Sequence, residues 1–174
     1  LSVSLYFCFF RDDVPLVRQE AAGALCNLAV NADNKVTIAG KANAITNLVA
    51  LLKDGVPQVR ETAAGALGSL AENANNQVKI AEARAIPRLV ALLKDGVPQV
   101  RERAAVALAN LAVNADNKVK IAAAGAIPPL VELLRDYEPQ VRGNAAGALR
   151  NLAVNADNKV KIADEANAIT NLVE

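Results

Sequence analysis

A chain of 174 residues in which 53% are hydrophobic, largely Ala, Leu and Val, and only 3% aromatic has to build its core from small aliphatic side chains that let helices approach closely. Nineteen Lys and Arg against 18 Asp and Glu leave a net charge of +1, which gives no electrostatic case for nucleic acid or an acidic membrane surface. With no histidine and two cysteines, Cys8 and Cys26, the chain has no disulfide framework, Ser–His–Asp set or metal-ligand cluster, and a reducing intracellular setting is expected.

The opening LSVSLYFCFF is apolar, lacks a basic leader and a small-residue cleavage site, and is too short to span a bilayer. Laying Arg11-Asp12 over Arg135-Asp136 places it on AIPPLVELL, so the chain is expected to start inside a repeating unit. Val3, Tyr6, Phe7 and Phe10 then fall on core positions of a helix that Leu5 and Cys8 make apolar on further sides.

The repeat itself follows. PLVRQEAAGALCNLAV from Pro15, PQVRETAAGALGSLAE from Pro57, PQVRERAAVALANLAV from Pro98 and PQVRGNAAGALRNLAV from Pro139 recur at spacings of 42, 41 and 41 residues. Self-similarity at such a period signals a solenoid, each unit burying its apolar face on its neighbours. Proline suits a first helical position, where its missing N–H has no intrahelical partner. Val141, Ala145, Ala148, Leu149 and Leu152 then recur at helical spacing. Helices are therefore expected over Pro15–Val30, Pro57–Glu72, Pro98–Val113 and Pro139–Val154, each ~24 Å long.

Between the long helices the order is constant. In NADNKVKIAAAG, Asp116 or Asn117 is expected to cap a short helix that Gly125 ends. AIPPLVELL follows as a nearly all-buried middle helix with Pro128 near its start. Gly55 and Gly96, in Lys-Asp-Gly-Val turns, suit a left-handed position at its C-terminus. One residue is inserted between Ile38 and Ile45 and again between Ile162 and Ile169, at corners where the stack should absorb it. The expected organisation is one solenoid over residues 1–174, with a partial unit at 1–31, full units at 32–73, 74–114 and 115–155, and a partial unit at 156–174.

Unit length, three helices and a long last helix ending A-L-x-N-L-A resemble the armadillo repeat, which implies an all-α, right-handed superhelical solenoid. V-R-E-x-A-A-x-A-L is also similar to HEAT repeats, but those have two helices, and the separate NKVKIA segment argues for three. The resemblance implies a non-enzymatic binding module whose long helices line a groove. There an asparagine near each helix end bonds the backbone of an extended peptide, at Asn27, Asn110 and Asn151, with Ser69 in the second unit. One carboxamide can donate to a strand and accept from it. The tryptophan that nuclear-import members carry four residues earlier is replaced by Gly23, Gly65, Val106 and Gly147, which disfavours classical basic import signals.

Further along the same face lie Glu20, Thr62, Arg103 and Asn144, then Leu16, Gln58, Gln99 and Gln140. They vary as ligand contacts would, and as any solvated face would. The asparagines have their own competing role, bonding the adjacent helix. Arg18, Arg60, Arg101 and Arg142 do not vary between units, which points to a stacked structural role on loop carbonyls or a neighbouring aspartate. The NADN segments lack calcium-loop spacing and are expected to cap helices. Cys26, without a histidine to activate it, is expected to be idle.

The expected partner is a protein or extended peptide, with no cofactor, nucleic acid or membrane. The alternative is an assembly element that self-associates through its ends, by Val3, Leu5, Phe7, Phe9 and Phe10 at one and Ile169, Leu172 and Val173 at the other.

Overall fold

The computed structural model describes residues 9–173. Twelve α-helices run from Pro15 to Val173, in the repeating order short, middle, long after an opening long helix. The long helices span Pro15–Leu28, Pro57–Leu70, Pro98–Leu111 and Pro139–Leu152. Each starts on its proline and stops two residues short of the expected end. The following Ala-Val or Ala-Glu pair instead turns the chain toward the asparagine that caps the next helix.

Short helices span Ala32–Gly40, Ala74–Glu82, Ala115–Ala123 and Ala156–Asp164. The cap is neither Asp116 nor Asn117. It is Asn114, whose side chain accepts from the Asn117 N–H, as Asn31, Asn73 and Asn155 do in the other copies. A cap must lie just outside the helix with its oxygen over the first-turn N–H groups. Asn114 meets that condition, and Asp116 and Asn117 are already helical.

The turn after the short helix needs one left-handed residue. Gly125, at φ 77°, supplies it in the third full unit, while Asn43, Arg84 and Asn167 adopt φ of 64°, 61° and 66° in the others. The inserted residue of the two longer units is absorbed in this turn. Gly55 and Gly96 are not left-handed, contrary to expectation. Their place is held by Tyr137 in the last copy, so this turn requires no positive φ.

Long helices pack in one row and short helices in another, each on its sequence neighbour one unit away. Middle helices, such as Ala85–Leu92, lie against the long helix that follows them. Ala63, Ala66, Leu67 and Leu70 on one long helix and Ala104, Ala107, Leu108 and Leu111 on the next are wholly buried. Alanine and glycine hold the spacing: a Cβ at Gly68 would lie 3.5 Å from the Ala107 backbone.

The recurrent arginines bind the units. Arg18, Arg60 and Arg101 donate through Nε to Asp54, Asp95 and Asp136 of the following unit, at 2.7, 2.8 and 2.7 Å. Each also donates to the carbonyl of the aspartate in the turn before its own helix, Asp12, Asp54 and Asp95. Both partners expected from the invariance of these arginines are present. The same aspartates accept from the N–H two residues on, at Val56, Val97 and Glu138, closing the turn.

Candidate functional site

Positions spaced by four, three and four along a helix share a face, and in the long helices these are Leu16 or a glutamine, the variable residue, a glycine or Val106, and an asparagine or Ser69. Gln58, Gln99 and Gln140 are exposed, as is Arg103, while Thr62 and Asn144 are half-buried. At the far end Asn27 is exposed and Ser69, Asn110 and Asn151 are half-buried. The second, third and fourth helices thus present a largely polar strip beside the buried alanines, and the first continues it with exposed Leu16.

Backbone chemistry at the helix ends explains the asparagines. The last carbonyls of a helix lack intrahelical donors. At Gly68 and Ala109 the next N–H groups serve other carbonyls, Leu67 and Ser69 in one helix and Leu108 and Asn110 in the other. Asn110 Nδ2 donates to the Gly68 carbonyl at 3.0 Å and Asn151 Nδ2 to the Ala109 carbonyl at 2.8 Å. Each carboxamide is therefore fixed by the helix before it, with its Oδ1 and second N–H uncommitted. Ser69 is too short to reach the equivalent Cys26 carbonyl, and its Oγ lies 3.8 Å from Cys26 Sγ.

The strip is floored by small residues. A Cβ at Gly23 would touch the Thr62 methyl at 3.5 Å, and one at Gly65 would meet the Arg103 stem and Cys26 Sγ at 3.6 Å. The variable side chain of one unit thus lies across the glycine of the unit before it. Thr62 also turns its hydroxyl back onto the Gln58 carbonyl at 2.6 Å.

In electrostatic terms the back of the strip is neutralised by the arginine–aspartate pairs. Burial works to raise the Asp54 carboxyl, but the bonds from Arg18 and the Val56 N–H prevail and hold it below the usual carboxylate range. Cys26 is half-buried and has no disulfide partner among the described residues. Among the described residues no group of three His, Cys, Asp or Glu side chains could hold a metal ion, and no helix is long and apolar enough to cross a membrane.

Three comparisons bear on this geometry. The armadillo/β-catenin-like repeat model matches residues 31–72, and the HEAT-like repeat model matches 57–111 and 98–152. No curated protein matches the sequence. Among solved structures, a designed armadillo repeat protein in complex with peptide (KR)4 is 34% identical, superposes with a TM-score of 0.88, and is matched over 98% of this chain and 71% of its own. The chain belongs to the armadillo repeat proteins. Computationally designed armadillo repeat proteins for modular peptide recognition match at 32% identity and TM-score 0.89, over 98% of this chain and 73% of theirs. An engineered protein matches at 32% and 0.93, over 99% and 72%. Such repeats are binding scaffolds and not enzymes. Short, middle and long helices in every full unit distinguish this armadillo chain from a two-helix array.

Sequence reasoning missed a second asparagine row in this armadillo stack. Asn76, Asn117 and Asn158 are almost wholly buried, and donate through Nδ2 to the Lys35, Gln77 and Lys118 carbonyls of the preceding short helix, each at 3.1 Å. The signal was present, since the last residue of the NADN or NANN tetrad is asparagine in all four copies, which a cap three residues earlier does not require. Val3, Leu5 and Phe7 lie outside the described residues. Phe9 is exposed, Phe10 packs on the core, and Ile169, Leu172 and Val173 are exposed at the other end.

Proposed function

We propose that this armadillo chain binds an extended peptide laid across its four long helices. Asn27, Asn110 and Asn151 meet the peptide main chain, and Gln58, Gln99, Gln140, Thr62, Arg103 and Asn144 meet its side chains, with Ser69 as the weak rung. The observation that carries the reading is the anchoring of Asn110 and Asn151: the bond to the neighbouring helix leaves a fixed acceptor and a second N–H on the strip. An extended strand carries unpaired N–H and C=O groups of matching kind. Neighbouring helices lie ~8–10 Å apart and a strand rises ~3.3 Å per residue, so each unit meets two or three residues. The solved relatives whose names specify a peptide complex and modular peptide recognition support the same reading.

The test is a peptide-affinity measurement on the Asn110→Ala, Asn151→Ala double variant. Two neutral hydrogen bonds of ~0.5–1.5 kcal/mol each correspond to a loss of about tenfold or more. Unchanged affinity with an intact fold rejects the asparagine contact.

A second reading, self-association, has its own observation. An apolar groove of about 540 Å³, lined by Phe9, Phe10, Leu16, Leu25 and Leu28 among others, opens beside the first long helix. Ile169, Leu172 and Val173 are exposed at the opposite end. Association through these residues would raise the mass seen by light scattering as concentration increases, and Phe9→Glu would lower it.

A further inference from the structure

The charges on the groove are not spread evenly. Setting aside the ladder arginines, the first long helix has Glu20 on the strip, and the second has Glu61 flanking it, one turn before the strip glycine Gly65. The third brings Glu102 and Arg103 side by side, and the fourth has Gly143 and Asn144 at those positions and adds Arg150. Along the solenoid the groove therefore carries a negative charge in each of the first two units, balance in the third and a positive charge in the fourth. Glu20, Arg103 and Arg150 are exposed, Glu61 and Glu102 half-exposed, and none makes a side-chain hydrogen bond or ion pair among the described residues. Behind them Arg18, Arg60 and Arg101 are spent on Asp54, Asp95 and Asp136, whereas Arg142 is exposed, donates to the Asp136 and Tyr137 carbonyls, and adds its positive charge to the fourth unit.

We infer that the groove selects a peptide of split charge, with basic side chains over the first two units and acidic side chains over the fourth. This rests on the peptide-binding reading and adds the class of peptide. Complementary charge along a groove fixes register and excludes wrong partners more than it adds affinity, because exposed pairs are individually weak. A uniformly basic peptide gains at Glu20 and Glu61 and is repelled at Arg150. A uniformly acidic one meets the reverse. Only a ligand basic at one end and acidic at the other is matched throughout, and the gradient fixes which way round it lies.

The experiment uses four labelled nonapeptides, alike except in charge: lysines in one half and glutamates in the other, lysines in both, glutamates in both, and serines at all those positions. Fluorescence anisotropy at low salt should rank the split peptide about threefold to tenfold tighter than either uniformly charged one, from two or three exposed pairs. The preference should shrink in 0.5 M salt, where the screening length falls to about 4 Å. In the Glu20→Lys, Glu61→Lys variant the uniformly acidic peptide should become the tightest of the four. Equal binding by all four peptides, or a ranking unmoved by that variant, overturns the charge inference and leaves the peptide groove standing. Binding by none, the serine peptide included, overturns both.

Discussion

The junction between the first and second long helices and the one between the second and third are built on the same backbone but held differently. At the second junction Asn110 donates to Gly68, Asn76 to Lys35, Arg88 to Val49 and Arg60 to Asp95. At the first, among the described residues, only Arg18 with Asp54 and the loose Cys26–Ser69 contact cross the gap. Both nevertheless pack long helix on long helix, and Ala22 and its equivalent Ala64 are wholly buried. Apolar packing sets the superhelix, and polar cross-links then decide how firmly each step is closed.

The largest expected effect comes from breaking the link shared by all three junctions. Arg101 is nearly buried, binds Asp136 and the Asp95 carbonyl, and lies 5.7 Å from the Tyr137 ring centre. Arg101→Ala should cost about 2–3 kcal/mol in denaturant unfolding, the loss of bonds to a charged group. A loss under about 0.5 kcal/mol would show that the staple is ornamental.

The asparagine rung comes next. Asn110→Ala exposes the Gly68 carbonyl at the second junction and should cost about 1 kcal/mol, and Ser69→Asn should gain a similar amount by supplying the missing donor to Cys26. If the second change gains nothing, the rung serves only the ligand. A smaller effect separates the junctions by pH. The Asp54 carboxyl has a lowered folded pKa, so its stabilisation is complete above the unfolded carboxylate value near 4 and is lost as pH falls through the folded value. Hydrogen exchange in the Pro15 helix should therefore rise below about pH 4 before that of the Pro98 helix, which keeps its asparagine bonds. Simultaneous opening would contradict the difference between the junctions.

The long helices and the arginine ladder were legible because each rests on periodicity or invariance across four copies. The cap was misplaced because NADN offers several side chains able to cap, and only the backbone shows that the helix begins one residue after the first of them. Asn117 was read as one of two candidate caps when it is a buried rung, since a polar residue near a helix start looks the same in sequence either way. The left-handed residue was expected at Gly55 and Gly96 and is found instead at Gly125, which was read only as a helix end, and at positions such as Arg84, whose φ of 61° no side-chain preference announces. On the groove, the candidate positions were legible as a face and bonding to the adjacent helix was legible as the competing role of the asparagines, but the carbonyls they take, Gly68 and Ala109, were not, because that depends on which ones the helix ends leave free.

The most direct measurement of the groove's role is a backbone and side-chain amide NMR map of the protein titrated with the split-charge nonapeptide. Saturable shifts at Asn110 and Asn151 and at Gln58, Gln99 and Gln140, with none at the exposed valines Val36, Val119 and Val160 of the short helices, are the predicted result. Shifts confined to Phe9, Ile169 and Leu172 at the two ends, with the long-helix strip unmoved, would contradict it.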